Sequence, residues 1–376
     1  MYHFSAPGRF EIGGNHTDHQ RGRVLAAAVD LQTRCAAVAN GTDMIRVTSE
    51  GFGHTSIDLS DLAPREDETG TTAALIRGVA AWFVANGHHI GGFDANVSSE
   101  LPVGMGLSSS AAFEVLIGNA FKCLFQSQVS ELEIALAGQF AENVYFGKPC
   151  GLMDQAASSF GGLTMMDFFD PQKPVITPVC ADFEGFSICV VATGGSHEDL
   201  TDDYAAIPAE MKAVAAHFGK HDLRAVDERS FYSSIGELRR LGDRAVLRAM
   251  HFFGENERVA RQAEALNDVN MPEFLRLVTE SGRSSLAFLQ NVYSNSVPSR
   301  QGLTLALALC ERVLGGSGAF RVHGGGFAGT VLAFVPDALR ERFISIMSDA
   351  FGPGCCLFLN IAQEGGRSHA PPGACE

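Results

Sequence analysis

Three stretches of the chain hold residue types that do chemistry. The first is Leu101-Pro-Val-Gly-Met-Gly-Leu-Ser-Ser-Ser-Ala-Ala112, with two glycines and three serines between apolar segments of different period. Gly104 and Gly106 let the backbone approach a ligand with no Cβ in the way. A helix starting at the serines would point free N–H groups and its positive dipole end at that ligand, an arrangement that attracts phosphate. Ser108, Ser109 and Ser110 add hydroxyls that can cap the helix, bind phosphate oxygens or ligate Mg2+. The bland reading is a capped helix after a glycine turn, and two further glycine-rich segments tip the balance toward phosphate. A Walker A loop is excluded because no lysine follows the glycines, and a Rossmann fingerprint because the third glycine position is Ser109.

The second stretch, Asn15-His-Thr-Asp-His-Gln20, is dense in donors and acceptors and flanked by glycines. Such a cluster suits a polyol, whose hydroxyls need matched partners. It also fits a solvated hairpin loop, or a zinc site on His16, Asp18 and His19, although no second cluster has metal-like spacing. The third is Gly147-Lys-Pro-Cys-Gly-Leu-Met-Asp-Gln155, where Asp154 follows a Gly/Pro loop. An aspartate there caps a helix or serves as a positioned carboxylate base. A second glycine cluster, in residues 315–336, runs straight into a buried strand, which marks backbone that something approaches closely.

The elements that must hold these residues read as follows. Residues 24–31 form a buried strand, residues 43–60 two strands of a meander, and Phe93 to Val97 an alternating half-buried strand. Helical spacing runs over 71–86, from Ala111 to Phe125, and over 130–146, the last with a capping box from Ser130 to Glu133. Glu142 lies one turn past Gly138 and faces inward. Phe186–Ala192 is a strand, a polar loop runs from Thr193 to Tyr204, residues 208–290 are mainly helical, and the tail after Gly365 is flexible.

Composition sets the outer bounds. A chain of 376 residues is long for one core, and prolines at 171–178 mark a boundary near residue 180, giving domains 1–180 and 181–376. A net charge of −15 argues against nucleic acid or an anionic membrane as partner, while leaving room for a nucleotide bound through local dipoles and a metal. Nine scattered cysteines with no C-x-x-C pair suit a reducing cytoplasm, and no signal peptide or membrane-length apolar run is present. Nothing here fixes an oligomeric state, and a monomer suffices.

Four ordered motifs together resemble the GHMP small-molecule kinases, most closely the galactokinases. Pro7-Gly-Arg, continued by Gly14-Asn-His-Thr-Asp-His19, is similar to the galactokinase signature, and Leu101–Ala112 to the family's phosphate loop. Cys150-Gly-Leu-Met-Asp-Gln155 resembles the segment with the catalytic aspartate, and Val322-His-Gly-Gly-Gly-Phe-Ala-Gly329 the third family motif. The resemblance implies an α+β, two-domain GHMP kinase fold, with a ribosomal S5 domain 2-like N-terminal domain, a ferredoxin-like C-terminal domain and the site in the cleft between. It implies ATP-dependent phosphorylation of the C1 hydroxyl of a hexose, galactose first. Asp154 would be the base and Arg9 its electrostatic partner. Gly104, Met105, Gly106, Leu107, Ser108, Ser109 and Ser110 would cradle the nucleotide. Ser110 and Glu142 would hold Mg2+, and Asn15, His16, Asp18, Gly151 and Tyr204 would face the sugar.

The chain also departs from that pattern. Asn15 and His19 stand where galactokinases usually carry Glu and Tyr, His323 and Ala328 replace Thr and Gly, and Tyr204 lacks the Arg-rich run that normally follows it. The change at Asn15 removes a negative charge from the expected sugar pocket, and Asp18-His-Gln20 is similar to the run in galacturonate kinases, so a uronic acid is the alternative substrate. A sugar- and nucleotide-binding sensor of weak activity is a further reading, disfavoured by intact Arg9, Ser110, Glu142 and Asp154.

Overall fold

The chain opens with two long strands, β1 (Tyr2–Gly13) and β2 (Arg23–Ala39), which pair antiparallel. This computed structural model describes residues 1–195 and 200–369. Residues Val24 to Val29 of β2 are all buried because the strand is covered on both faces there, and beyond Asp30 exposure becomes mixed. Register shifts interrupt β1 between Pro7 and Arg9 and again between Glu11 and Gly13. Proline cannot donate to the ladder, and such bulges bend a strand and re-aim its side chains.

β3 (Met44–Ser49) and β4 (Gly53–Asp58) form the hairpin expected from the meander. Helix α1 (Thr72–Ala85), capped by Thr71, crosses over so that β5 (Phe93–Ser99) lies parallel to β3. Helix α2 (Ser109–Leu124) is buried along every residue from Ala111 to Phe121, so it sits inside the domain, with Glu114 and Asn119 as its buried polar residues. Helix α3 (Glu131–Phe140) has the Ser130–Glu133 capping box, but it ends sooner than the 130–146 pattern suggests. A π-turn over Ala141–Phe146 follows, closed by Gly147 at φ 82°. Then come α4 (Met153–Phe160), β6 (Leu163–Asp167) and β7 (Val175–Pro178). β2 is the spine of this first sheet: one edge takes β1, and the other takes β6 along its first half and β5 along its second.

The chain changes sheet between Pro178 and β8 (Phe186–Ala192). The helices α5 (Thr201–His217), α6 (Glu228–Ser233), α7 (Ile235–Leu238), α8 (Asp243–Asn267), α9 (Met271–Ser284) and α10 (Gly302–Leu314) come next. The polar loop expected up to Tyr204 is shorter, since α5 already begins at Thr201. Residues 196–199 of it lie outside the described residues. β9 (Ala319–His323), β10 (Thr330–Pro336), α11 (Arg340–Phe351) and β11 (Cys356–Leu359) complete the second sheet in the order β11-β8-β10-β9. Counted along the chain, that spatial order is fourth, first, third, second, the split βαβ arrangement of a ferredoxin-like domain.

The start of the tail departs from the expected flexibility, while residues 370–376 of it lie outside the described residues. Residues Arg367–His369 form β12, which returns to the first sheet and pairs with His3, Phe4 and Ser5 of β1. One apolar core runs from Phe4, Phe10 and Phe121 of the first sheet's side to Leu332 and Phe334 of the second. Among the described residues, no helix is long and apolar enough to cross a membrane.

Candidate active site

Asp154 is the second residue of α4, where a carboxylate is favoured by the helix dipole. Arg9 Nε donates to its Oδ1 at 2.7 Å and Ser108 Oγ to its Oδ2 at 2.5 Å. The phosphate-loop candidate and the candidate base, distant in sequence, are therefore in direct contact. Arg9 reaches them from the bulged part of β1. Its backbone N–H donates to Leu107 O at 3.1 Å and its Nη1 to Gly106 O at 2.5 Å. Gly8 packs so closely that an added Cβ would lie 2.5 Å from Leu101 and 2.7 Å from Leu107 O. Burial raises the Asp154 pKa, but the charges of Arg9 and Lys148 and the bonds from Ser108 and Arg9 outweigh it. The net direction is below the ordinary aspartate value, so the carboxylate is ionised at neutral pH.

The loop backbone takes the glycine-only shape expected of it, with φ 81° at Gly104 and 66° at Gly106. Ser108 also has positive φ, at 55°, which is costly for a residue with a Cβ and is found where function over-determines the backbone. The bland reading of these serines as helix caps fails at Ser108. It occupies the N-cap position of α2 without capping, its hydroxyl turned to Asp154.

Two residues on, Ser110 Oγ donates to Glu142 Oε1 at 2.6 Å. Glu142 sits in the π-turn, a feature that recurs at functional sites. Gln155 Nε2 bridges Glu142 Oε2 at 3.4 Å and Glu114 Oε2 at 3.0 Å. Burial, then the Glu142 charge, push the Glu114 pKa well above the ordinary glutamate value, which favours its protonated form. Serine hydroxyl and glutamate carboxylate are the hard oxygen donors that Mg2+ takes, and they converge at the N-terminus of α2, so the pair fits that ion.

The Asn15–Gln20 run is not a solvated loop: Asn15, His16, Thr17 and Gln20 are buried. His16, at φ 58°, turns Nε2 to Gly325 O at 2.9 Å, and its ring stacks on His19 at 5.5 Å. Burial, then His19, lower the His16 pKa to about 3, so the ring is neutral. Among the described residues no group of three or more His, Cys, Asp or Glu side chains has metal-binding geometry, which leaves the zinc reading without support. Asp18 lies against Gly151 so tightly that a Cβ there would fall 1.7 Å from Asp18 Oδ2. Tyr204 donates its hydroxyl to Gly326 O at 2.7 Å, and a Cβ on Gly325 would meet its ring at 2.4 Å. Gly325 and Gly326 are thus seats for Tyr204 and Asn291, while Gly324 faces open space.

Asn15 is placed differently from the expectation. Its Nδ2 donates to Glu11 Oε1 and to Gly324 O, both at 2.8 Å, and its Oδ1 accepts from Asn291 at 2.8 Å. The side chain is engaged by protein on all sides, and a carboxylate, Glu11, stands directly beside it. With Glu11 beside it, Asn15 does not leave this part of the expected sugar pocket free of acid. Glu11 is in turn bound by the fully buried Arg321 at 2.7 Å. Burial raises the Glu11 pKa to about 7 against the pull of Arg321 and Arg9.

The third motif locks the loop. His323 Nε2 accepts from Glu11 N–H at 3.1 Å, its Nδ1 meets Thr330 Oγ1 at 3.0 Å, and a Cβ on Gly106 would lie 2.8 Å from that hydroxyl. Sequence reasoning missed Glu11, Asn291, Arg321, Glu114 and Lys148. The first four join segments hundreds of residues apart or lie inside an apolar helix, and no local pattern marks them. Lys148 was visible only as part of a Gly-Lys-Pro loop.

Comparison with known proteins agrees with this geometry. Residues 2–39 match the galactokinase galactose-binding signature, and residues 74–162 the GHMP kinases N terminal domain. A galactokinase of Actinobacillus pleuropneumoniae is 31% identical over 348 residues, 92% of this chain and 88% of that protein. One from Glaesserella parasuis serovar 5 is 29% identical over the same shares. The crystal structure of Lactococcus lactis galactokinase complexed with galactose superposes with a TM-score of 0.83 at 25% identity, covering 98% of this chain and 94% of that one. A mevalonate kinase superposes with a TM-score of 0.66 at 15% identity, which speaks to the fold alone. Motifs, contacts and relatives converge, and the chain belongs to the galactokinase family of the GHMP kinases.

Proposed function

We infer that the protein transfers the γ-phosphoryl group of ATP to the C1 hydroxyl of galactose. The observation that carries this reading is the contact of Arg9 and Ser108 with the two oxygens of Asp154, at the mouth of the glycine–serine loop. An anomeric hydroxyl is more acidic than an ordinary alcohol, so an ionised Asp154 accepts its proton as the oxygen attacks. Arg9, held by Gly106 O, keeps the carboxylate ionised and offsets charge on the attacking oxygen. Residues 104–110 cradle the phosphates through backbone N–H groups at the start of α2. Ser110 and Glu142 are the residues that would hold Mg2+, which supplies charge neutralisation on the phosphates. His16, Asp18, Gly151 and Tyr204 line the sugar side. Two domains meeting near residue 180 frame the cleft.

The test is a sugar panel with ATP and Mg2+, read by ADP release, with NMR to locate the phosphorylated carbon. Galactose is expected to give by far the highest kcat/KM and a C1 phosphate. Faster turnover of galacturonate than galactose, or phosphate at any other carbon, overturns the reading.

A further inference from the structure

Lys148 adds its charge to that of Arg9 in holding Asp154 ionised, but its own ion pair is with Glu142. Gly147 reverses the chain after the π-turn, Lys148 N–H donates to Glu142 O at 3.1 Å, and the side chain folds back over the same residue. Its Nζ lies 3.5 Å from Glu142 Oε1, the oxygen that also accepts from Ser110. The two partners are unlike. Glu142 is 1% exposed and the lysine side chain 58%, so a fixed buried anion is neutralised by a tethered cation standing in solvent. Among the described residues, Lys148 is the one cation in salt-bridge contact with Glu142.

A divalent cation and an ammonium repel each other, so they compete for one carboxylate oxygen. Lysine is a compact charge on a flexible four-carbon stem with three rotatable donors, well suited to leave one anion for another. The triphosphate would arrive beside Ser110, within the swing of that stem. We propose that Lys148 is an exchangeable counter-ion, pairing with Glu142 in the nucleotide-free protein and moving to the phosphates when metal and nucleotide enter. This rests on the reading that Ser110 and Glu142 hold Mg2+. The chain thus supplies, from just after the π-turn, the lysine that its phosphate loop lacks.

The bland alternative is a half-exposed ion pair of little energetic weight. The experiment measures binding of ATP to the full-length protein by calorimetry, with and without Mg2+, in wild type, Lys148→Met, Lys148→Arg and Glu142→Gln. Lys148→Met is expected to weaken metal-free ATP binding about tenfold, the scale of one charge-assisted contact. It should also lower the Mg2+ concentration that half-saturates the enhancement of ATP binding, because no ammonium has to be displaced. Lys148→Arg should keep most of the metal-free affinity. Wild-type ATP affinity and Mg2+ dependence in Lys148→Met overturn the proposal and leave the metal site standing, provided Glu142→Gln loses its Mg2+ dependence. Unchanged Mg2+ dependence in Glu142→Gln overturns the metal site and the exchange together.

Discussion

Ser108 lies 2.5 Å from one oxygen of Asp154 while Arg9 lies 2.7 Å from the other, so the carboxylate is gripped from both sides. The serine pays for this with a left-handed backbone at φ 55° and gives up the helix cap. Glycine at this position would relax the backbone and remove the hydroxyl. Ser108→Gly is expected to stabilise the fold by up to about 1 kcal/mol while lowering kcat. Ser108→Ala should lower kcat with no gain in stability. Urea unfolding and steady-state rates on the two variants check the separation, and a Ser108→Gly variant with wild-type kcat would show that the hydroxyl contributes nothing to turnover.

Asp154→Asn keeps the shape of the side chain and removes its basicity. Turnover should fall by roughly 10²–10⁴-fold, the usual weight of a general base. ATP affinity, measured by calorimetry, should stay within a few fold. Wild-type-like kcat would remove Asp154 from the mechanism.

Gly151 has no room for a methyl group, because its Cβ would fall 1.7 Å from Asp18 Oδ2. Gly151→Ala must displace Asp18, and a displacement on this scale costs about a hundredfold in kcat/KM for the sugar. Nucleotide affinity should be unaffected. Equal losses toward both substrates would indicate general disruption rather than a sugar-side defect.

The Asn15–Glu11 contact makes a further prediction. Asn15→Glu, which restores the residue usual in galactokinases, would set a carboxylate 2.8 Å from Glu11 Oε1 and from Gly324 O. Two buried acids and no donor between them should cost about 3 kcal/mol of stability. Adding Glu11→Asn to that variant exchanges acid and amide and should recover part of the loss. The cycle is read by chemical unfolding, and simple additivity of the two changes would contradict the pairing.

The pH dependence follows from His16 and Glu11 with opposite signs. The folded pKa of His16 is about 3, below the ordinary value of 6.5, so its contribution is present above pH 6.5 and is lost as pH falls. Each unit below 6.5 costs about 1.4 kcal/mol, and His16→Asn, an exchange that tolerates positive φ, should lack that slope. The folded pKa of Glu11 is about 7, above its ordinary 4.5, so its contribution is full below pH 4.5 and is lost as pH rises through 7. Glu11→Gln should therefore gain on wild type with rising pH. Urea unfolding at pH 5, 6 and 7 gives both slopes.

Much of the site was legible because glycine and serine act on the backbone locally. The strand, turn and helix around Gly104 and Gly106 could be read from three short patterns, and Asp154 from its place after a Gly/Pro loop. The family resemblance added Arg9 and paired Ser110 with Glu142 as the metal's ligands. The remaining parts depend on contacts that leave no local trace. Glu11 and Arg321 are 310 residues apart, and neither spacing nor period joins them. The left-handed Ser108 looks like any cap in the sequence. The 130–146 apolar pattern is continuous through a change from α to π geometry, and it is that change which turns Lys148 back onto Glu142. The expected looseness of the tail came from its glycines, whereas Arg367–His369 find an open ladder edge on β1.

That last pairing carries an implication for biosynthesis. β1, the strand that delivers Arg9, keeps an unfilled edge until residues 367–369 emerge from the ribosome, so a nascent chain exposes a sticky margin during nearly the whole of its translation. Stop codons placed before Arg367 would leave that margin bare for good, and the truncated products should aggregate rather than persist as slower enzymes.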